Sequence, residues 1–282
     1  MALTEQTLTA ADGTDIHTET HLSTGGSPSA ALVLLHGFAV HCGRYRPVAA
    51  GFAAAGLDVT AFDCRGHGRS AGQRGHVTRF TDFRDDLHLV IEHVRARTPG
   101  LPVAIAGHSH GATIALDYVL ADRSTVSALV LASPFLALRM KVPRWKTALS
   151  PVMGRLWPTL SMTNELRSED TTRDPDVRAR LANDPLTHQV ATPRWFNEVQ
   201  AAQAHILGHA TTLRVPTLMA VPSDDRIALT ETALAFARAA GPIVEVKMYE
   251  NAFHELFLEP DWPRIVNDCA SWVVARLAAP YT

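Results

Sequence analysis

The 282-residue sequence has only three cysteines, Cys42, Cys64 and Cys269, an odd and widely spaced set. That leaves no disulfide framework and fits a reducing compartment, so the expected location is the cytoplasm, with at most a peripheral contact to a membrane. No C-x-x-C or H-E-x-x-H spacing occurs, and no metal ligand set is expected. Residues 1–6 carry neither a basic nor an apolar segment, so no secretory signal is expected. No apolar run approaches the length of a membrane span, and internal repeats are absent. Charge of neither sign dominates. The 26 basic and 28 acidic residues are interspersed and sum to −2, so no nucleic-acid partner is expected. What the chain does have is apolar bulk: 46% hydrophobic against 19% charged residues, ample for the core of one large α/β domain with an insertion.

That bulk is arranged in short apolar runs alternating with helical patterns. Residues 4–20 read as a hairpin turning at Asp12-Gly13. Continuous apolar runs at 31–35, 57–62, 101–106, 128–132 and 216–221 read as strands buried on both faces of a parallel sheet. Helices are expected at 47–55, 83–97, 112–120, 229–240 and 262–277. The second of these places Leu87, Val90, Ile91 and Val94 on one face, with acidic residues at its start and Arg95 and Arg97 at its end. From 136 to 208 prolines recur and no strand pattern is visible. The expected organisation is a core of 1–135 and 209–282 with a helical cap inserted at 136–208. Strands alternating with helices predict an α/β fold, a mostly parallel central sheet with helices on both faces.

Gly107-His-Ser109-His-Gly111 lies between the apolar run at 101–106 and a helical one. G-x-S-x-G is the spacing that seats a serine on a sharp strand-to-helix turn, where backbone N–H groups and a helix start face developing negative charge. A serine hydroxyl needs a base to take its proton and a carboxylate to orient that base. In this chain order the base comes last. Of 14 histidines only His254 follows the strand at 216–221, and it sits in a loop directly after a strand. The acid should follow residue 221, where Asp224 and Asp225 stand side by side and spacing does not separate them. The oxyanion donors should be the backbone N–H of His110, just after the serine, and that of Phe38, in the loop after the first central strand.

Several motifs then occur in order: His36-Gly37, Arg44-Tyr45, the loop from Asp63 through Arg65-Gly-His67-Gly-Arg69-Ser to Gly72, the serine elbow, Asn183-Asp-Pro-Leu186, Asp225-Arg-Ile227 and Phe253-His254-Glu255. Together they resemble the monoacylglycerol lipase and lysophospholipase-like group of α/β-hydrolases, of the serine aminopeptidase S33 type, and bacterial monoacylglycerol lipases in particular. The resemblance implies the α/β-hydrolase fold, a Ser109–Asp225–His254 triad, no cofactor, and a small cap over an apolar acyl pocket. The implied activity is hydrolysis of a small lipid-like ester, foremost a monoacylglycerol. A lysophospholipase or short-chain carboxylesterase is the alternative, and a silent ligand-binding protein an alternative of another class. The pocket is expected to use Trp145, Leu149, Met153 and Trp157.

His110 departs from the pattern, since that group usually carries an apolar residue, often methionine, after the nucleophile. With His108 it flanks Ser109 with imidazoles, which are expected to pack locally. Arg65, His67 and Arg69 are expected to satisfy one another's loop, Cys42 and Cys64 to be buried, and Glu255 to be structural. The apolar stripe from Trp145 to Leu160 is expected to be cap core, with transient membrane contact as the other reading.

Overall fold

In the computed structural model, which describes residues 3–121, 126–139, 144–164 and 166–278, an eight-stranded sheet runs through the centre. Its strands are β1 (Leu3–Thr9), β2 (Asp15–His21), β3 (Ala30–Leu35), β4 (Leu57–Phe62), β5 (Val103–His108), β6 (Ala128–Ala132), β9 (Thr217–Pro222) and β10 (Val244–Tyr249). The order is β1-β2-β4-β3-β5-β6-β9-β10, with the β1–β2 and β2–β4 pairings antiparallel and all the others parallel. Every residue of β3, β5, β6 and β9 is buried, as continuous apolar strands covered on both faces require.

One face is covered by α1 (Arg46–Ala54) and α8 (Trp262–Ala278), the other by α2 (Phe80–Arg97), α3 (His110–Leu120) and α7 (Thr230–Ala240). The α2 stripe Leu87, Val90, Ile91 and Val94 is fully buried, each side chain contributing about 1.5–3 kcal/mol. This helix starts at Phe80, three residues before the position expected from the stripe. Arg79 has no side chain suited to accept from the first turn. The Asp82 carboxylate instead accepts the Arg79 N–H at 3.0 Å and closes the helix start.

Between β6 and β9 the chain forms α4 (Arg144–Leu156), α5 (Pro175–Ala182) and α6 (Pro193–Gly208). It also forms a two-residue antiparallel ladder, β7 (Met162–Thr163) with β8 (Val190–Ala191). A ladder this short has no periodicity to read, which is why the sequence shows no strand here. Helix α6 is shared: Trp195, Val199, Ala202 and Ile206 join the apolar cluster of α2 and α3, while its other side carries α4. At that contact Gly154 leaves no room for a side chain against Asn197, whose amide donates to the Ser150 carbonyl at 2.8 Å.

The stripe on α4 is not cap core. Leu149, Val152, Leu156, Trp157 and Leu160 are all exposed, Leu156 by 59% and Trp157 by 55%. Only one side of α4 is needed to meet α6, so Val152 and Leu156, with Trp157 and Leu160 beyond the helix, look outward, while Leu149 and Met153 face a cavity. The Trp145 side chain lies outside the described residues. Among the described residues, no helix is long and apolar enough to cross a membrane.

Candidate active site

The elbow is built from backbone crowding. Ser109 sits at φ 52°, ψ −114° between the end of β5 and the start of α3. A Cβ on Gly107 would meet the Gly111 carbonyl at 2.6 Å, and one on Gly111 would meet the His36 carbonyl at 2.6 Å and the Leu35 Cβ at 2.7 Å. Only glycines let the first turn of α3 lie this close to β3 and β5, so the two glycines fix the serine's strained conformation. Ser109 occupies the N-cap position of α3 but makes no cap bond. Its hydroxyl donates instead to His254 Nε2 at 2.7 Å.

His254 follows β10 in a loop, as expected, and Asp225 follows β9. The Asp225 carboxylate accepts from His254 Nδ1 at 2.9 and 3.0 Å, and its Oδ1 also takes the N–H groups of Ile227 and Ala228, both at 2.8 Å. The two aspartates left open by spacing separate here. Asp225 is buried and turned to the imidazole, whereas Asp224 is exposed and paired with Arg226. Burial pushes the Asp225 carboxyl up, but the His254 charge and three hydrogen-bond donors outweigh it and hold it below the usual carboxylate range. Burial likewise pushes His254 down, and the Asp225 charge and hydrogen bond carry it above the ordinary imidazole value. A base must be neutral to accept a proton. The acid limb of the kcat/KM profile is therefore expected at a midpoint above about 6.5, and a midpoint at or below it would contradict this electrostatic picture.

The two expected oxyanion donors flank the serine. The His110 N–H is one of the free donors in the first turn of α3. Phe38 lies after β3, in a loop held by His36: Nδ1 donates to the Gly37 carbonyl at 2.6 Å, and Nε2 accepts from the Cys64 N–H at 3.0 Å. The Phe38 ring stacks on Trp195 with centroids 3.9 Å apart.

The His110 side chain points away from the chemistry into a box of Phe38, Phe80, Phe83 and Trp195, with centroids 5.1–6.0 Å away. Neither ring nitrogen has a hydrogen-bond partner, and burial pushes its pKa down to about 3. The unfolded chain binds a proton there below about 6.5 and the folded chain does not, so stability drains as pH falls through the window from 6.5 to about 3. Replacing it by methionine is expected to leave the acid limb of kcat/KM unmoved. The same variant should raise stability, by about 2 kcal/mol more at pH 5 than at pH 7. Denaturant melts at both pH values test this, and a shifted kinetic limb would instead give the side chain a role in proton transfer.

Ser109 and His254 open onto a cavity of about 900 Å³, lined on its other side by residues of the segment between β6 and β9. Its wall is mostly apolar, with Phe135, Leu138, Met153, Phe196, Val199 and Ile227. Leu149 and Met153 line it as expected. Trp157 does not; it lies beyond the end of α4 and faces outward. The segment between β6 and β9 is tied to the loop after β3 by Asp184, which accepts from His41 Nε2 at 2.8 Å and Arg44 Nε at 3.1 Å, and by the His188 N–H, which donates to the Ala39 carbonyl. Local pattern assigns no role to the Asn183–Leu186 and Arg44-Tyr45 motifs, because Arg44 and Asp184 meet across 140 residues of sequence.

The charged loop at 63–72 is not self-satisfied, contrary to expectation; its arginines are held by other elements. Arg65 grips Asp86 through two bonds of 2.7 Å and also Asp12, and Arg69 pairs with Glu5, all partners outside the loop. His67 Nδ1 donates to the Arg65 carbonyl within it, and His67 Nε2 has no partner among the described residues. Cys42 and Cys64 are buried, and burial pushes both thiols well up. The donor clusters His17/Cys42/Asp63 and Glu5/His17/Glu19 lie off the cavity, their carboxylates already taken by the Cys42 and Arg69 N–H groups and by Arg46.

Parallel sheet order, elbow and a Ser–His–Asp contact at the carboxyl ends of the strands define an α/β-hydrolase. A family model described as serine aminopeptidase, S33, matches residues 26–261, and the chain belongs to that family and is a hydrolase. The monoacylglycerol lipase of Mycolicibacterium smegmatis is 34% identical over 252 residues, which cover 89% of this chain and 90% of the relative. Phospholipase YtpA of Bacillus subtilis is 29% identical over 237 residues, 83% of this chain and 91% of the relative. The crystal structure of Paleococcus ferrophilus monoacylglycerol lipase superposes with a TM-score of 0.82 at 26% identity, covering 98% of this chain and all of that one.

Proposed function

We propose that the protein hydrolyses monoacylglycerols through an acyl-serine intermediate. The observation that carries this is Ser109, already hydrogen-bonded to His254, at the wall of a large, mostly apolar, cap-roofed cavity. Ser109 Oγ attacks the ester carbonyl as His254 Nε2 takes its proton, and Asp225 holds the imidazole in the Nδ1–H tautomer. The Phe38 and His110 N–H groups receive the oxyanion. Collapse of the tetrahedral adduct expels the glycerol oxygen, which takes the proton from His254. Water, activated by the same base, then frees the fatty acid. Residues 136–208 act as the cap. The relatives named as monoacylglycerol lipases support the substrate class, and the volume suits a single acyl chain better than a compact ester. A chain-length series of monoacylglycerols beside p-nitrophenyl esters and lysophosphatidylcholine tests it. Monoacylglycerols should give the highest kcat/KM. Preference for lysophosphatidylcholine would move the protein to the phospholipases, and turnover of short esters alone would refute a lipid substrate.

The enzyme is cytoplasmic in this reading and meets lipid at a membrane surface. Leu156, Trp157 and Leu160, with exposed Arg155 beside them, form the contact. The double variant Leu156→Ser, Trp157→Ser is expected to bind anionic vesicles at least about ten-fold more weakly. Hydrolysis of a water-soluble ester should stay unchanged. Equal vesicle flotation of the two proteins would refute the contact.

A further inference from the structure

The residue after His254 takes no part in the triad, yet it is tied down more thoroughly than a surface loop requires. Glu255 is 6% exposed, and its N–H donates to the Thr171 carbonyl of the cap at 2.7 Å. Its Oε2 lies 3.0 Å from the Tyr45 hydroxyl, which lies 3.1 Å from His108 Nδ1. His108 Nε2 in turn stands 3.0 Å from the carbonyl oxygen of His254. Tyr45 and His108 are wholly buried.

Counting protons along this chain gives a constraint. A carbonyl oxygen only accepts, so His108 Nε2 carries a proton. A phenol has one proton to give, and here it faces both a ring nitrogen and a carboxyl oxygen. With an ionised carboxylate and a ring bare at Nδ1, the hydroxyl serves one neighbour and opposes lone pairs at the other, and Tyr45 and His108 are too deeply buried for solvent to reach the mismatch between them. One additional proton removes it. Placed on the carboxyl, it gives donors running Glu255, Tyr45, His108, His254 carbonyl. Placed on Nδ1, it reverses the first two bonds and keeps the last. Either way the chain is neutral and every bond is made.

We infer that Tyr45, His108 and Glu255 share one proton and act as positioning residues for His254, clamping its carbonyl while the cap holds the next N–H. Neutrality has a purpose. Asp225 already holds one anion against His254, and a second buried anion on its other side would raise its proton affinity further and leave less free base. The other charged or titratable groups facing the chain are Arg44, itself held by Asp184, and His36 behind the oxyanion loop.

The inference rests on His254 being the base, and the test separates the two claims. If the unmodified protein hydrolyses no ester, the functional reading fails before any variant is compared. Given an active enzyme, Tyr45→Phe keeps the ring contacts with His108 and Phe257 and deletes only the shared hydroxyl. It is expected to lower kcat about 10- to 100-fold with KM within about two-fold. Glu255→Gln restores a donor to Tyr45 without needing the shared proton and should stay within about three-fold of the unmodified enzyme, whereas Glu255→Leu should fall to the Tyr45→Phe level. Thermal melts accompany each variant, and if Tyr45→Phe does not fold, the Gln/Leu pair answers the same question. Unchanged kcat in Tyr45→Phe, or equal activity of the Gln and Leu variants, would overturn the inference.

Discussion

Ser109→Ala is expected to lower kcat on monoacylglycerol by about 10⁶-fold while leaving the fold intact. The magnitude follows from what the hydroxyl does: without it no acyl-enzyme forms, and the base, the acid and the oxyanion donors have nothing to act on together. The substitution removes one oxygen from the cavity wall and no packing atom, so melting temperature and ligand binding should hold. His254→Ala should cost about as much, since a serine at its ordinary pKa is not a nucleophile at neutral pH, and the double variant should be little worse than either single one. Losses that multiply in the double variant would mean that the two residues do not act as a unit.

Asp225→Asn is expected to lower kcat by about 10⁴-fold, against a change within about two-fold for Asp224→Asn. The side chains are neighbours in sequence and nearly the same in chemistry, so the contrast isolates geometry. Asp225 takes the His254 Nδ1–H on both oxygens and is itself anchored by the Ile227 and Ala228 N–H groups. An amide there can turn its NH₂ toward Nδ1, which forces the proton onto Nε2 and removes the acceptor Ser109 needs. Asp224 meets solvent and Arg226, an exposed pair of little energetic weight. Side-by-side kinetics decide the matter, and a dead Asp224 variant beside a live Asp225 one would reverse the assignment.

What the sequence reveals of this protein depends on how local each feature is. The central strands are legible because burial on both faces demands unbroken apolar runs such as Ala30–Leu35. The elbow is legible because its two glycines and the serine fall within five residues, although half of the crowding that demands them, Gly111 against Leu35 and His36, is long-range. His254 is reached by order alone, being the one histidine after the ninth strand. Spacing leaves Asp224 and Asp225 ambiguous, and only the family resemblance picks Asp225, because a turn decides which of two adjacent carboxylates faces inward, and turns carry no periodicity. The α4 stripe shows a different limit: helical spacing reports that one face is apolar, not what that face meets. Leu156 and Trp157 fit a buried cap equally well until the helix is seen to need only one side for α6. The Glu255–Tyr45–His108 chain bridges separations of 210 and 63 residues and has no short-range signature at all.

The most direct test of the account is to treat the purified protein with a long-chain alkyl fluorophosphonate, follow monoacylglycerol hydrolysis, and map the adduct by peptide mass spectrometry. The prediction is one adduct per chain, on Ser109, appearing in step with loss of hydrolysis. Hydrolysis that survives complete labelling, or an adduct on any other residue that tracks the loss, would contradict it.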